Sequence, residues 1–199
     1  MSSFGGIPID VADLNIDFLI SSANKCIQGV PGFSFIIAKQ EAILATKGKA
    51  ISLSLDLYEQ WETMSKDGKW RFTSPTHVVI AFEQALQELA KEGGVVARNS
   101  RYQANMTKLL TLFKANGLLA YIPEENQSPI IATFELPSQK IDFKEMYEFV
   151  KSEGYAIYPG KLLDLNTFRV GVIGKIYQAY IERVSDIFKT YLTDKKIGG

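Results

Sequence analysis

Apolar positions along the first half of the chain predict two neighbouring strands followed by helices. Short apolar runs over about residues 17–21 and 32–38 are separated by a turn rich in glycine and proline, which predicts adjacent strands. Apolar residues then recur every three or four positions over residues 57–64 and 76–91, which predicts a short helix and a longer one. The glycine pair at residues 93–94 ends the longer helix.

The second half of the chain predicts a smaller α/β unit that follows one long helix. The elements predicted there are helices over residues 95–115, 143–153 and 176–192, and strands over residues 130–134, 155–158 and 167–170. Because strands and helices alternate throughout, we predict an α/β fold with two parts. Residues 1–97 form part of one layered unit, and residues 98–199 form a small α/β domain.

The composition is that of an ordinary globular protein without features of nucleic-acid or membrane binding. The chain has 199 residues, of which 46% are hydrophobic and 22% charged, and its formal net charge is zero. We find no apolar run of about 20 residues and no secretory signal, so we expect a cytoplasmic protein. Cys26 is the only cysteine and His77 the only histidine, which excludes an internal disulfide and argues against a zinc site.

Lys25 is the first candidate for chemistry, because it follows an apolar strand and stands among small polar residues. Partial burial favours the neutral amine that a nucleophilic lysine needs. Ser21, Ser22 and Asn24 offer hydrogen bonds without a carboxylate that would hold the ammonium. An enzyme that attaches a carbonyl cofactor to a lysine would hold its amine in such a place. From these residues alone, an ordinary surface lysine remains the alternative.

A second candidate lies where the longer helix begins. Thr73, Ser74 and Thr76 supply hydroxyl groups there, and Arg71 is close in sequence. Capping by Ser74 or Thr73, with Pro75 in the first helical position, explains these hydroxyls without a ligand. An anion site at the start of the helix is the functional interpretation, and different residues can serve both purposes.

A third candidate is Arg169, which stands between apolar residues on the strand predicted over residues 167–170. A guanidinium held rigidly in a cleft grips a carboxylate with two hydrogen bonds. An exposed arginine on an edge strand is the alternative interpretation. His77 falls in the first turns of the longer helix, where packing or exposure explains it better than catalysis.

Six motifs, in one order along the chain, resemble a known family of enzymes. They are SSANKCIQGVPGF from Ser21, SLSLDLYEQW from Ser52, GKWRFTSPTH from Gly68, EGGVVARNSRYQAN from Glu92, YPGK from Tyr158 and FRVGVIG from Phe168. Together they resemble the 2-aminoethylphosphonate–pyruvate transaminases, which are fold-type-I, class V pyridoxal-phosphate enzymes. The resemblance covers nearly the whole chain. It implies the C-terminal part of an aspartate aminotransferase-like large domain in residues 1–97 and the small C-terminal domain in residues 98–199.

The resemblance also implies roles for individual residues. Lys25 looks like the lysine that binds pyridoxal 5′-phosphate covalently, and Asn24 matches a neighbouring position that contacts the cofactor. Thr73 resembles the threonine that reaches the cofactor phosphate of the partner subunit, which implies a homodimer. Met1 falls where the family places an apolar residue against the pyridine ring. Arg169 is similar to the arginine that binds the anionic end of the substrate.

The reaction that the resemblance implies is a step in phosphonate degradation. An aminotransferase of this family moves the amino group of 2-aminoethylphosphonate to pyruvate, through a Schiff base that here would form on Lys25. The products are phosphonoacetaldehyde and alanine. Two alternatives stay open: a related aminotransferase that uses alanine, serine or glyoxylate, and a truncated fragment without activity.

The chain departs from the family pattern in several places. The aspartate that pairs with the pyridine nitrogen falls two residues before the position of Met1, and the phosphate-binding loop falls earlier still. We therefore expect these residues alone to show little transaminase activity. We also expect the first two strands to have open edges and an uncovered apolar face. Ile51 replaces an expected arginine and Val172 an expected asparagine, which leaves the preferred substrate open.

Overall fold

The structure is a computed structural model that describes residues 1–138, 141–160 and 166–195. Contacts between residues divide the chain into two units, residues 1–96 and residues 97–199. The motif residue Lys161 lies outside the described residues. The assignment of residues 1–97 to a large domain and of residues 98–199 to a small C-terminal domain stays a prediction.

The elements follow the predicted alternation of strands and helices. The first unit contains β1 (Phe18–Ser22), β2 (Ser34–Ala38), α1 (Gln40–Leu44), α2 (Leu57–Asp67) and α3 (Thr76–Glu92). Helix α4 (Gly94–Ala115) begins in the first unit and continues in the second. The second unit then contains a 3₁₀ turn (Glu124–Asn126), β3 (Ile131–Glu135), α5 (Phe143–Ser152), β4 (Tyr158–Pro159), β5 (Thr167–Gly171) and α6 (Gln178–Asp194).

Strands β1 and β2 form an antiparallel hairpin, as the short turn between them predicts. Phe18 pairs with Ala38 at the open end of the hairpin. Apolar side chains on it stay in contact with solvent, since Ile20 is 51% exposed and Ile37 is 37% exposed. Among the described residues, no third strand pairs with the hairpin. The structure therefore has the predicted open strand edges and uncovered apolar side chains.

Aromatic contacts attach α3 to the hairpin. The ring centroid of Phe82 on α3 lies 5.2 Å from that of Phe33 and 5.4 Å from that of Phe35. Phe4 packs edge-on against Phe35, and Trp70 packs edge-on against Phe33. Ring pairs of this kind stabilise beyond the burial of their apolar area. They hold the first unit together where the hairpin itself offers few buried side chains.

The buried core of the first unit is small. Within residues 1–96, the buried hydrophobic side chains are Ala23, Cys26, Ile27, Tyr58 and Ala85. Before α2, by contrast, Ile51, Leu53 and Leu55 alternate with serines and are all largely exposed. Apolar side chains left in water contribute no burial energy, and contiguous exposed ones are typical of interaction surfaces.

Strand β5 is the central strand of a three-stranded sheet in the second unit. The strand order is β3-β5-β4, and both pairs are antiparallel. Arg169 on β5 lies directly opposite Thr133 on β3 and Tyr158 on β4. The interpretation of Arg169 as a residue of an edge strand is therefore wrong, because the last strand is inserted between two earlier ones. The strand predicted over residues 155–158 is shorter than expected, since only Tyr158–Pro159 pair with β5.

Four phenylalanines form the centre of the second unit. Phe113 from α4, Phe134 from β3, Phe168 from β5 and Phe188 from α6 are each 0% exposed. Their ring centroids lie 4.7 Å apart at the closest pair, Phe113 and Phe134, and 5.6 Å apart at Phe134 and Phe168. Two helices and two strands therefore meet in one aromatic core.

One local prediction in the first unit is wrong, and one short helix there is not predicted. Pro75, and not Thr73 or Ser74, occupies the N-cap position of α3, and no side-chain hydrogen bond caps this helix. The sequence does not predict α1, because five residues are too few to show a helical repeat.

The aromatic core provides the first testable prediction. Phe188→Ala removes one of the four rings and leaves a cavity, so we expect it to lower the free energy of unfolding by about 3–5 kcal/mol. Tyr180→Ala is the matched control, because Tyr180 lies on the same helix and is 52% exposed. Urea unfolding followed by circular dichroism measures both variants. Equal losses of stability in the two variants would contradict this description of the core.

Candidate functional site

Lys25 lies on a tight loop between β1 and β2. The backbone N–H of Ala23 donates to the carbonyl of Phe33 over 3.3 Å, which closes the loop at its base. Inside the loop, the N–H of Gln28 donates to the carbonyl of Lys25 (2.8 Å), and the N–H of Gly29 donates to that of Ala23 (2.9 Å). These bonds satisfy the backbone within the loop and fix it on both sides of Lys25.

Close packing at Gly29 restricts the loop further. A Cβ atom at this position would lie 2.8 Å from the carbonyl oxygen of Ala23 and 3.2 Å from the ring of Phe82. The preceding residue, Gln28, has a φ of 66°, a left-handed conformation that is uncommon for a residue with a side chain. Backbone strain of this kind is enriched at functional sites, so it supports the loop as a site.

The first residues of the chain are hydrogen-bonded to the same loop. Ser21 Oγ donates to the carbonyl of Met1 over 2.9 Å, and the Cys26 thiol donates to the carbonyl of Ser2 over 3.1 Å. Ser21 is 1% exposed and Cys26 is 0% exposed. Two buried side chains on either side of Lys25 therefore hold the main chain of residues 1–2 against the loop.

The amine of Lys25 is available for chemistry. Its side chain is half-buried, and no carboxylate among the described residues forms an ion pair with it. Lys39 makes the contrast, because its Nζ lies 2.8 Å from a carboxylate oxygen of Asp17. A carboxylate partner stabilises the ammonium, whereas a nucleophilic amine has to lose its proton. Lys25 therefore fits covalent chemistry better than Lys39 does.

The structure brings three of the predicted site residues together. Asn24 and Lys25 are neighbours on the loop, and the main chain of Met1 is bound at its base. The side chain of Met1 is 65% exposed and so is accessible to a ligand. The sequence does not predict the hydrogen bonds made by Ser21 and Cys26. No pattern in the sequence links them to carbonyls 20 and 24 residues away.

Thr73 also belongs to the first unit, on an exposed segment before α3. Arg71, which is near Thr73 in sequence, binds another segment: its Nη1 donates to the carbonyl of Leu53 over 2.9 Å. The guanidinium of Arg71 also lies 5.2 Å from the centre of the Phe72 ring. Thr73 is therefore accessible, while Arg71 holds the segment that precedes α2.

Arg169 belongs to the second unit and lies on the less buried face of its sheet. Phe168 and Val170 enter the core, so the alternation along β5 directs Arg169 to the opposite face. We name this the open face, and its members are Thr133, Arg169 and Tyr158. Arg169 Nε donates to the carbonyl of Pro159 on β4 over 3.1 Å. The two terminal nitrogens of the guanidinium form no hydrogen bond with another described residue.

Helix α4 fixes the loop that follows β5. Arg101 Nη1 donates to the carbonyl of Gly174 over 2.6 Å, and Asn105 Nδ2 donates to that of Ile176 over 2.8 Å. The N–H of Gly174 donates to the Tyr102 hydroxyl over 3.4 Å. Because these side chains lie on neighbouring turns of one helix, they define where β5 ends and so support the register of the sheet.

Ile51 and Val172, the two residues that depart from the family pattern, differ in burial. Ile51 is fully exposed on the segment before α2. Val172 is 2% exposed and belongs to the core of the second unit, and its N–H donates to the carbonyl of Ile130 over 2.9 Å. The side chain of Val172 is therefore packed among apolar neighbours and not presented on the open face.

Other kinds of site find no support in the described parts of the chain. They contain no group of three or more His, Cys, Asp or Glu residues that would hold a metal ion. His77 is exposed on α3. None of the helices described is both long enough and apolar enough to cross a membrane.

Residues 1–166 match the family model described as Aminotransferase class-V. A 2-aminoethylphosphonate–pyruvate transaminase of Lysinibacillus sphaericus (strain C3-41) is 55% identical over 195 residues, which cover 98% of this chain and 53% of that protein. One of Bacillus cereus (strain Q1) is 58% identical over 187 residues, which cover 94% and 51%. The chain therefore spans about half the length of these curated relatives.

Solved structures with the same fold are more distant in sequence. A pyridoxamine–pyruvate aminotransferase of Mesorhizobium loti has a TM-score of 0.85 and 19% identity, and the match covers 97% of this chain and 50% of that one. An alanine–glyoxylate aminotransferase of Nostoc sp. has a TM-score of 0.83 and 20% identity, over 96% and 52%. These likenesses confirm the predicted fold class, the α/β fold of fold-type-I aminotransferases.

Loss of the Ser21 hydroxyl should loosen the attachment of residues 1–2. One hydrogen bond contributes about 1 kcal/mol, so its loss makes local opening about fivefold more frequent. We therefore expect Ser21→Ala to raise the rate at which a water-soluble disulfide reagent modifies Cys26 by about fivefold. Ser22→Ala is the matched control, because Ser22 Oγ is buried without a hydrogen-bond partner among the described residues. An equal rate in both variants would refute the attachment.

Proposed function

The chain belongs to the class-V aminotransferases, and from this membership we propose that it serves the transfer of an amino group from 2-aminoethylphosphonate to pyruvate. The observation that carries the proposal is the Lys25 amine, which has no carboxylate partner among the described residues and stands on a fixed loop. Because the chain spans about half the length of its relatives, the proposal concerns what these residues contribute to such an enzyme.

The comparisons support a phosphonate as the amino donor. The two relatives named 2-aminoethylphosphonate–pyruvate transaminase are 55% and 58% identical to this chain. The solved alanine–glyoxylate aminotransferase is 20% identical and shares only the fold. A transaminase that uses alanine, serine or glyoxylate is therefore the weaker candidate. With a phosphonate donor, the reaction belongs to phosphonate degradation in the cytoplasm.

The residues of the Lys25 loop fit pyridoxal 5′-phosphate. When bound, this cofactor draws electrons away from the carbon that carries the amino group. In the proposal, Lys25 holds the cofactor covalently through Nζ and Asn24 contacts it. The exposed side chain of Met1 packs against its ring. Thr73, which is exposed, reaches the cofactor phosphate of a second copy in a homodimer.

Lys25 has a second task in the proposed reaction, which is to move a proton. With the cofactor bound and the substrate amine in place, Lys25 Nζ would be the group that accepts a proton from the substrate carbon and gives it back. An amine that no described carboxylate holds as ammonium is suited to both steps.

Arg169 binds the anionic end of each substrate in this proposal. Its terminal nitrogens form the two-pronged donor that a carboxylate or phosphonate accepts. The bond from Nε to Pro159 holds the guanidinium in one orientation before a substrate arrives. Less conformational freedom is then lost on binding, which favours affinity.

Covalent labelling tests the role of Lys25 without requiring turnover. We expect incubation with pyridoxal 5′-phosphate and reduction with borohydride to modify Lys25 far ahead of the other lysines, as peptide mass spectrometry would show. Lys25→Arg should abolish this preferred labelling. Lys39→Arg, the matched control, should leave it unchanged, because Lys39 is paired with Asp17. Labelling spread evenly over the exposed lysines would overturn the assignment.

A further inference from the structure

The open face places a tyrosine directly beside Arg169. Tyr158 on β4 and Thr133 on β3 are the two cross-strand partners of Arg169. Directly opposed residues of an antiparallel pair have Cβ atoms roughly 4.5–5.5 Å apart, so their side chains are in reach of one another. Thr133 is half-buried, whereas Tyr158 is 56% exposed.

A hydrogen bond ties the guanidinium of Arg169 to β4. Its Nε donates to the carbonyl of Pro159, which follows Tyr158 on β4. A guanidinium can bind an anion through its two terminal nitrogens, or through Nε and one terminal nitrogen. The bond to Pro159 occupies Nε. Neither terminal nitrogen forms a hydrogen bond with another of the described residues. No carboxylate of the described residues forms an ion pair with Arg169, although the exposed Glu135 lies two residues along β3 from Thr133.

The Tyr158 hydroxyl is free to serve as a further donor. Among the described residues, no group forms a hydrogen bond with it. A phenol donates one hydrogen bond, and it does so from a stiff side chain with few rotamers. Together with the two terminal nitrogens of Arg169, the open face thus carries three donors on two directly opposed residues.

Three donors match one kind of anion better than another. A planar carboxylate has two oxygen atoms, which the terminal nitrogens of Arg169 satisfy. A tetrahedral phosphonate or sulfonate has a third oxygen, which needs a donor from another direction. We propose that Tyr158 is a specificity-determining residue that donates to this third oxygen, so that the open face prefers tetrahedral anions to carboxylates. This inference deepens the proposed function and rests on its assignment of Arg169 to the anionic end of the substrate.

The test compares three small anions on the 199-residue chain. Acetate, methanesulfonate and methylphosphonate are titrated while nuclear magnetic resonance follows the backbone amide signal of residue 169. Acetate and methanesulfonate both carry one negative charge, so this pair separates oxygen geometry from charge. Tyr158→Phe keeps the ring and removes the hydroxyl. We expect it to raise the Kd of both tetrahedral anions roughly tenfold, since a hydrogen bond to a charged group is lost. Acetate binding should stay the same.

Two control variants complete the design. Tyr180→Phe removes the hydroxyl of a tyrosine on α6 that is similarly exposed, and it should change no affinity. Arg169→Lys should weaken all three anions, because an ammonium lacks the two-pronged fork. If Tyr158→Phe weakened all three anions equally, or weakened only methylphosphonate, the geometric role of Tyr158 would be disproved. An Arg169 signal that no anion shifts would overturn the inference as well.

Failure of this inference is distinguishable from failure of the proposed function. Labelling of Lys25 reports on the first unit, whereas the anion titration reports on the second. Preferred labelling of Lys25 with no effect of Tyr158→Phe would leave the transaminase proposal standing and remove the role of Tyr158. The reverse pattern would leave a tetrahedral-anion site that belongs to another reaction.

Discussion

The alternation of side chains along β5 is the constraint on which the second unit depends. Phe168 and Val170 face the core, so Arg169 between them has to face the other way. A slip of one residue in the pairing would place the guanidinium among the three remaining aromatic rings and move Phe168 into solvent. The energy that buries Phe168 therefore also fixes the direction of Arg169. Helix α4 adds to this by holding the loop after β5 through Arg101 and Asn105.

The first unit positions its candidate lysine by a different means. It has few buried hydrophobic residues, and the Lys25 loop relies on main-chain hydrogen bonds and on the close packing of Gly29. Ser21 and Cys26 then tie residues 1–2 to this loop. An amine that is held in place without a carboxylate partner can lose its proton and react. An ion pair such as that of Lys39 would also hold the amine in place, but it would stabilise the unreactive ammonium.

Long periodic patterns allowed most helices and strands to be predicted. On α4, Tyr102, Met106, Leu109 and Phe113 are all buried, as their spacing indicates. Predictions failed where a neighbour in space, and not in sequence, decides the outcome. Strand β4 is defined only by its pairing with β5, and that pairing also removes Arg169 from the sheet edge. Lys25 and Arg169 stand out by their surroundings in the sequence, and a resemblance assigns their roles. The bonds that hold them join distant parts of the chain and leave no local pattern.

The order of strands in the second unit has a consequence for synthesis of the protein. Among the described strands, β3 and β4 both pair only with β5, which is the last of them to leave the ribosome. The hairpin of the first unit needs only contacts that are local in sequence, so it can form early. The sheet has to wait, and until then the apolar faces of α4, β3 and α5 have no strand partner. A nascent chain that stalls before residue 167 therefore exposes hydrophobic surface that chaperones recognise.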